Sequence, residues 1–140
     1  MFTYQTSLQW NGGSQGTAAA AGRPDLTITS PSEFGGRDDA WNPELMLVAA
    51  VESCLLLTAL SVAARQKLTL AGYASQATGR MEKTPDGLRF TGIEVAVQLK
   101  VNSPEDAEKA QKLMAIAEKY CPVSNAAKCP VRVTCGVEGK

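Results

Sequence analysis

Four cysteines, Cys54, Cys121, Cys129 and Cys135, and no histidine define the chemistry open to this 140-residue chain. Without histidine there is no Ser-His-Asp or Cys-His pair and no histidine-ligated metal site. Cysteine chemistry remains: a thiolate attacks an electrophile such as peroxide oxygen, and a second thiol captures the sulfenic acid formed. A reactive cysteine needs a helix N-terminus or a cation that favours its charge. Cys121, followed by Pro122, stands at the head of a short segment that reads as a helix, beside free backbone donors. Cys54 falls inside a long apolar run, a position that by itself suits a small buried hydrophobe better than a working thiol. Cys129 and Cys135 share one face of a strand if it runs regularly across Pro130, and they read as structural. Cys121, Cys129 and Cys135 lack the closely spaced pair that a zinc site uses, so neither metal nor cofactor is expected.

The elements that must position these thiols follow from local signals. Asn42-Pro43-Glu44 combines a capping side chain, a proline suited to the first helical position and an acid beside the positive helix end. Nothing breaks the helix from there to Gln66 or Lys67, and its apolar content predicts burial on most sides. Glu52, two residues before Cys54, lies about 200° around the helix from it. It is expected to reach water, an intersubunit salt bridge or, as an alternative acidic residue, the site itself. Upstream, Phe2 to Trp10 reads as a strand ending in the turn Asn11-Gly12-Gly13, and Asp25 to Thr29 as another. Downstream, Tyr73 to Lys83 and Leu88 to Val101 alternate across Thr84-Pro85-Asp86-Gly87, which predicts a long hairpin with Ile93, Val95, Val97 and Leu99 on one face. Ser103-Pro104-Glu105-Asp106 opens a second helix through Tyr120, and Val131 to Cys135 closes as a strand.

Bulk properties narrow the partners. The length fits a single domain over 1–140. Lysine plus arginine and aspartate plus glutamate stand at 14 each, which leaves no field to gather nucleic acid or an anionic membrane. The apolar run Leu45 to Ala64 is interrupted by Glu52 and Ser53 and followed by Arg65 and Lys67, as suits a core helix better than a membrane span. The start carries no basic cluster with an apolar run and cleavage site, so a cytoplasmic location with reduced thiols is expected.

Asn42-Pro43-Glu44, the apolar helix with Glu52-Ser53-Cys54, and Ala117-Glu118-Lys119-Tyr120-Cys121-Pro122-Val123-Ser124-Asn125 together resemble the OsmC/Ohr family of osmotically inducible and organic hydroperoxide resistance proteins. The resemblance spans nearly the whole chain. It implies an α+β fold, a central buried helix wrapped by a curved antiparallel sheet, in an intertwined homodimer with sites at the subunit interface. It further implies a thiol-dependent peroxidase that reduces organic and lipid hydroperoxides, with Cys54 attacking the peroxide and Cys121 resolving through a disulfide. Glu44 would match the acidic residue that holds an arginine over the thiolate, and a dithiol such as a lipoylated protein would be the reductant. The early hairpin, where the family carries that arginine, reads Gly12-Gly13-Ser14-Gln15-Gly16-Thr17 and has none. Arg37, ahead of Arg23, is the candidate to take its place; by itself it reads as a solvated loop residue paired with Asp38 or Asp39. Without a replacement, the same fold would serve as a non-catalytic dimer binding a hydrophobic ligand, or as a redox sensor.

Overall fold

The computed structural model describes residues 1–139. The chain divides into two compact units, Met1–Leu47 and Val48–Lys140. In the first unit, β1 (Ser7–Gly12), β2 (Gln15–Ala19) and β3 (Leu26–Thr29) form an antiparallel sheet in the order β1-β2-β3. The β1–β2 connection turns through Gly12 and Gly13, both at positive φ, which glycine adopts without steric cost. A short 3-10 turn, Ser32–Phe34, follows. Thr29 is fully buried; its amide donates to the Trp41 carbonyl, and its hydroxyl accepts from the Arg37 amide.

Helix α1 (Pro43–Arg65) begins as the sequence expects, with Asn42 Oδ1 accepting from the Leu45 amide at 2.7 Å. The division between the units falls inside this helix. In the second unit β4 (Leu70–Thr84) and β5 (Gly87–Val101) form the long hairpin, joined through Pro85-Asp86. Register shifts near Leu70 and Arg80 mark bulges, which bend a strand. Helix α2 (Pro104–Tyr120) is capped by Ser103, leads into α3 (Pro122–Ala126), and the chain returns as β6 (Val131–Gly139). The sheet order is β4-β5-β6, and β5 and β6 run parallel rather than antiparallel. The physical reason is the connection: a chain that crosses over through α2 re-enters the sheet from the end at which β5 began.

Alternation on β5 directs Ile93, Val95, Val97, Leu99 and Val101 inward, where they form one core with Val51, Leu55 and Ala59 of α1 and with Leu113 and Ala117 of α2. Helix α1 is therefore buried along one stripe. Its other side is not covered: Leu57 is 63% and Leu60 43% exposed. One sheet and one neighbouring helix shield only part of a helix that is apolar nearly all round.

Candidate functional site

Cys54 sits midway along α1, partly exposed, on the stripe formed by Leu57, Thr58, Ser61 and Arg65 at spacings of three, four, seven and eleven residues. Such spacing keeps all five on one side of an α-helix. The stripe forms one wall of a groove of about 550 Å³, and Tyr120, Pro122 and Val123, around the α2–α3 junction, form another. The Cys54 sulfur lies 3.9 Å from Thr58 Oγ1.

Cys121 stands between Tyr120 and Pro122, the residues that line the groove, yet is itself fully buried. Proline at the first position of α3 and the extended backbone of Cys121 (φ −70°, ψ 109°) turn its side chain into the core instead of over the helix end, and it caps no backbone donor. The Ser124 hydroxyl donates to the Cys121 sulfur at 3.2 Å. The two cysteines singled out in the sequence thus flank one groove, Cys54 open to it on the α1 wall and Cys121 buried behind residues of the other wall.

The other expected residues are placed differently. Arg37 belongs to the first unit, on an exposed loop, where its guanidinium forms a two-pronged pair with Asp39. That hydrogen bond holds the Asp39 carboxyl below its ordinary range. Of the two partners read from the sequence, Asp38 and Asp39, it is Asp39 that Arg37 takes. Arg23 donates to the Ala21 carbonyl at 2.7 Å, and Glu44 lies half-buried in the first turn of α1. Glu52 faces away from Cys54 and accepts a hydrogen bond from Ser75 Oγ of β4 at 2.6 Å. Its partner is thus a neighbouring strand of the same chain. Cys129 precedes β6 instead of lying in it, because Pro130 delays the strand to Val131; Cys135 is in β6, opposite Val97, and burial pushes its thiol up.

Three residues were not singled out in the sequence. Tyr73, on the inner face of β4 opposite Leu99, has a buried hydroxyl with no hydrogen-bond partner among the described residues. Burial, reinforced by Cys135, Glu52 and Cys121, pushes that phenol up to about 12. Its inward position was legible from strand alternation, but the polar cluster was not, since it draws on three elements distant in sequence. Ser124 gave no signal of its own. Arg65 did: it lies eleven residues, or just over three turns, beyond Cys54.

The fold matches solved structures over essentially its whole length. An OsmC-like protein from Vibrio cholerae superposes with a TM-score of 0.87 over 97% of this chain and 100% of its own, at 19% identity, a likeness of fold alone. An organic hydroperoxide resistance protein from Legionella pneumophila superposes with a TM-score of 0.78 at 26% identity, over 99% of this chain and 98% of its own. These define an α+β protein of the OsmC/Ohr architecture. A family model described as OsmC-like protein matches residues 36–136, and the chain belongs to that family. Among its relatives, the organic hydroperoxide resistance protein of Xanthomonas axonopodis pv. citri is 32% identical over 134 residues, covering 94% of this chain and 92% of the relative.

Proposed function

We propose that the chain is a thiol-dependent peroxidase for organic hydroperoxides, acting as a single 1–140 domain within a cytoplasmic homodimer. The observation that carries this reading is the groove: Cys54 opens on it, and Cys121 lies directly behind residues that line it. The names of the relatives, organic hydroperoxide resistance proteins, support the substrate class. In the reaction, the Cys54 thiolate attacks the distal oxygen of the hydroperoxide, the O–O bond breaks, and the alkoxide leaves as the alcohol after taking a proton. Cys54 is then a sulfenic acid. Cys121 sulfur attacks it, an S–S bond forms and water departs; a dithiol, as on a lipoylated protein, restores both thiols by exchange.

Glu44 and Arg37 are proposed as the acidic residue and the arginine of this chemistry, and Arg37 must exchange its Asp39 partner to serve. The uncovered side of α1 away from the groove, with Leu60 exposed, supports a second copy as its cover. Neither nucleic acid nor membrane is a partner in this reading. The test is to treat the reduced protein with one equivalent of an organic hydroperoxide, or of hydrogen peroxide, and map disulfides by non-reducing peptide mass spectrometry. A Cys54–Cys121 bond forming faster with the organic peroxide is the expected result; its absence after minutes sinks the proposal. The alternative, a non-catalytic dimer that binds a hydrophobic ligand or senses redox state, is favoured by two observations. The early hairpin carries no arginine, and Arg37 is held by Asp39.

A further inference from the structure

Arg65 is the charged residue among those described that line the Cys54 groove. It is exposed, and none of the ion pairs among the described residues includes it. Eleven residues separate it from Cys54, a rise of about 16 Å and a rotation within about 20° of three full turns, so sulfur and guanidinium lie along one line of the helix. Because helical side chains lean toward the N-terminus, Arg65 extends back along the groove and shortens this span. Even so, three turns are too many for an ion pair with the sulfur. Between them lie Leu57, Thr58 and Ser61, with Val62 beside and Val123 opposite. The groove therefore offers a thiol, a stretch of leucine and valine side chains interspersed with the uncharged hydroxyls of Thr58 and Ser61, and a cation, in that order.

Resting on the peroxidase reading, we infer that Arg65 is a specificity residue that binds the carboxylate of a long-chain hydroperoxide while Cys54 meets the peroxide. The span suits roughly eight to twelve carbons between carboxylate and peroxide. A guanidinium matches a carboxylate with two parallel hydrogen bonds, which an ester cannot reproduce with the same charge. The competing role for an arginine in the last turn of a helix is to complement the helix dipole. That role gives no reason for the protein to tell an acid from its ester.

The experiment measures equilibrium binding of dodecanoate and of methyl dodecanoate to the reduced full chain by calorimetry, for the unaltered protein, Arg65→Gln and Arg65→Lys. The ratio of acid to ester affinity is the readout, so a general loss of packing, which weakens both ligands, does not imitate the effect. The expected result is a preference for the acid that falls about tenfold in Arg65→Gln, is largely kept in Arg65→Lys and declines with added salt. An unchanged ratio in Arg65→Gln, or no binding of the acid by the unaltered protein, overturns the inference. Turnover of a neutral organic hydroperoxide by the unaltered protein is measured beside it. If that turnover is absent while the ratio still depends on Arg65, the carboxylate site stands and the peroxidase reading falls. If turnover is present and the ratio ignores Arg65, the reading stands and the inference falls.

Discussion

Cys54 and Cys121 belong to different walls of one groove: Cys54 is partly exposed on the α1 wall, whereas Cys121 is 0% exposed between two residues that line the facing wall. A small alkylating reagent applied to the native reduced protein is therefore expected to label Cys54 at least about tenfold faster than Cys121, since reaction at a buried sulfur waits on local opening. In denaturant the two rates converge. Pulse alkylation with peptide mass spectrometry measures this, and equal native rates would contradict the placement of Cys121.

The two sides of α1 predict opposite responses to substitution. Leu55 is fully buried in the core, so Leu55→Ala is expected to cost about 2–5 kcal/mol of unfolding free energy. Leu60, 43% exposed, is expected to act on assembly. If the proposed homodimer is built on this side of α1, Leu60→Glu should leave the circular dichroism of the fold intact while raising that dimer's dissociation constant by about tenfold or more, as seen by analytical ultracentrifugation. A variant that sediments like the unaltered protein would remove this side of α1 from the proposed interface.

Glu52 and Ser75 form a cross-element hydrogen bond at 2.6 Å. Ser75→Ala should cost about 1–3 kcal/mol, because the half-buried carboxylate loses a donor. Combining Ser75→Ala with Glu52→Gln should cost less than the two single changes added together, with a coupling of about 1 kcal/mol in a double-mutant cycle by urea denaturation. Strict additivity would show that the bond contributes nothing to stability.

Tyr73 provides a test by pH. Its phenol titrates near 12 in the folded chain against an ordinary 10, so folding favours the neutral form. The contribution is fully present below pH 10 and is lost as pH rises from 10 toward 12. Allowing for the solvent that reaches the partly exposed ring, the unaltered protein should lose about 1 kcal/mol across that window relative to Tyr73→Phe. At neutral pH the Phe variant should be as stable or up to about 1 kcal/mol more stable, since it removes a buried hydroxyl without a partner. Denaturant melts at pH 7 and 10.5 check both statements; a Phe variant that loses more stability with alkali than the unaltered protein would refute the assignment.

Local signals proved legible and long-range ones did not. Asn42 and Ser103 cap α1 and α2 as their side chains predict, accepting from the amides of Leu45 and Asp106. The alternation of β5 named its inner face, because a half-buried strand writes its burial into every second residue. The parallel seat of β6 was not legible, since nine residues of suitable composition can pair with either direction of a neighbour. Cys54 illustrates the same limit: its place in an apolar helix was clear, but whether it faced the core or a groove depended on where α2 and α3 came to rest. Arg65 was readable from spacing once Cys54 was taken as a reference. The orphaned Tyr73 hydroxyl was not, because its environment is assembled from Glu52, Cys121 and Cys135.

The parallel pairing of β5 with β6 also sets an order of folding. Hairpin β4–β5 closes through two residues, so its contacts form early and at small loop-entropy cost. Ile93 meets Val131, 38 positions further along the chain, only after the intervening segment has been gathered in through α2, which makes β6 the slow partner. Until it docks, the edge of β5 that β6 will cover is an open strand edge, and Cys135, a residue of β6, is unshielded. The interval before β6 joins the sheet is thus when this chain is most exposed to wrong disulfides and to aggregation, and refolding under reducing conditions at low concentration protects it during that interval.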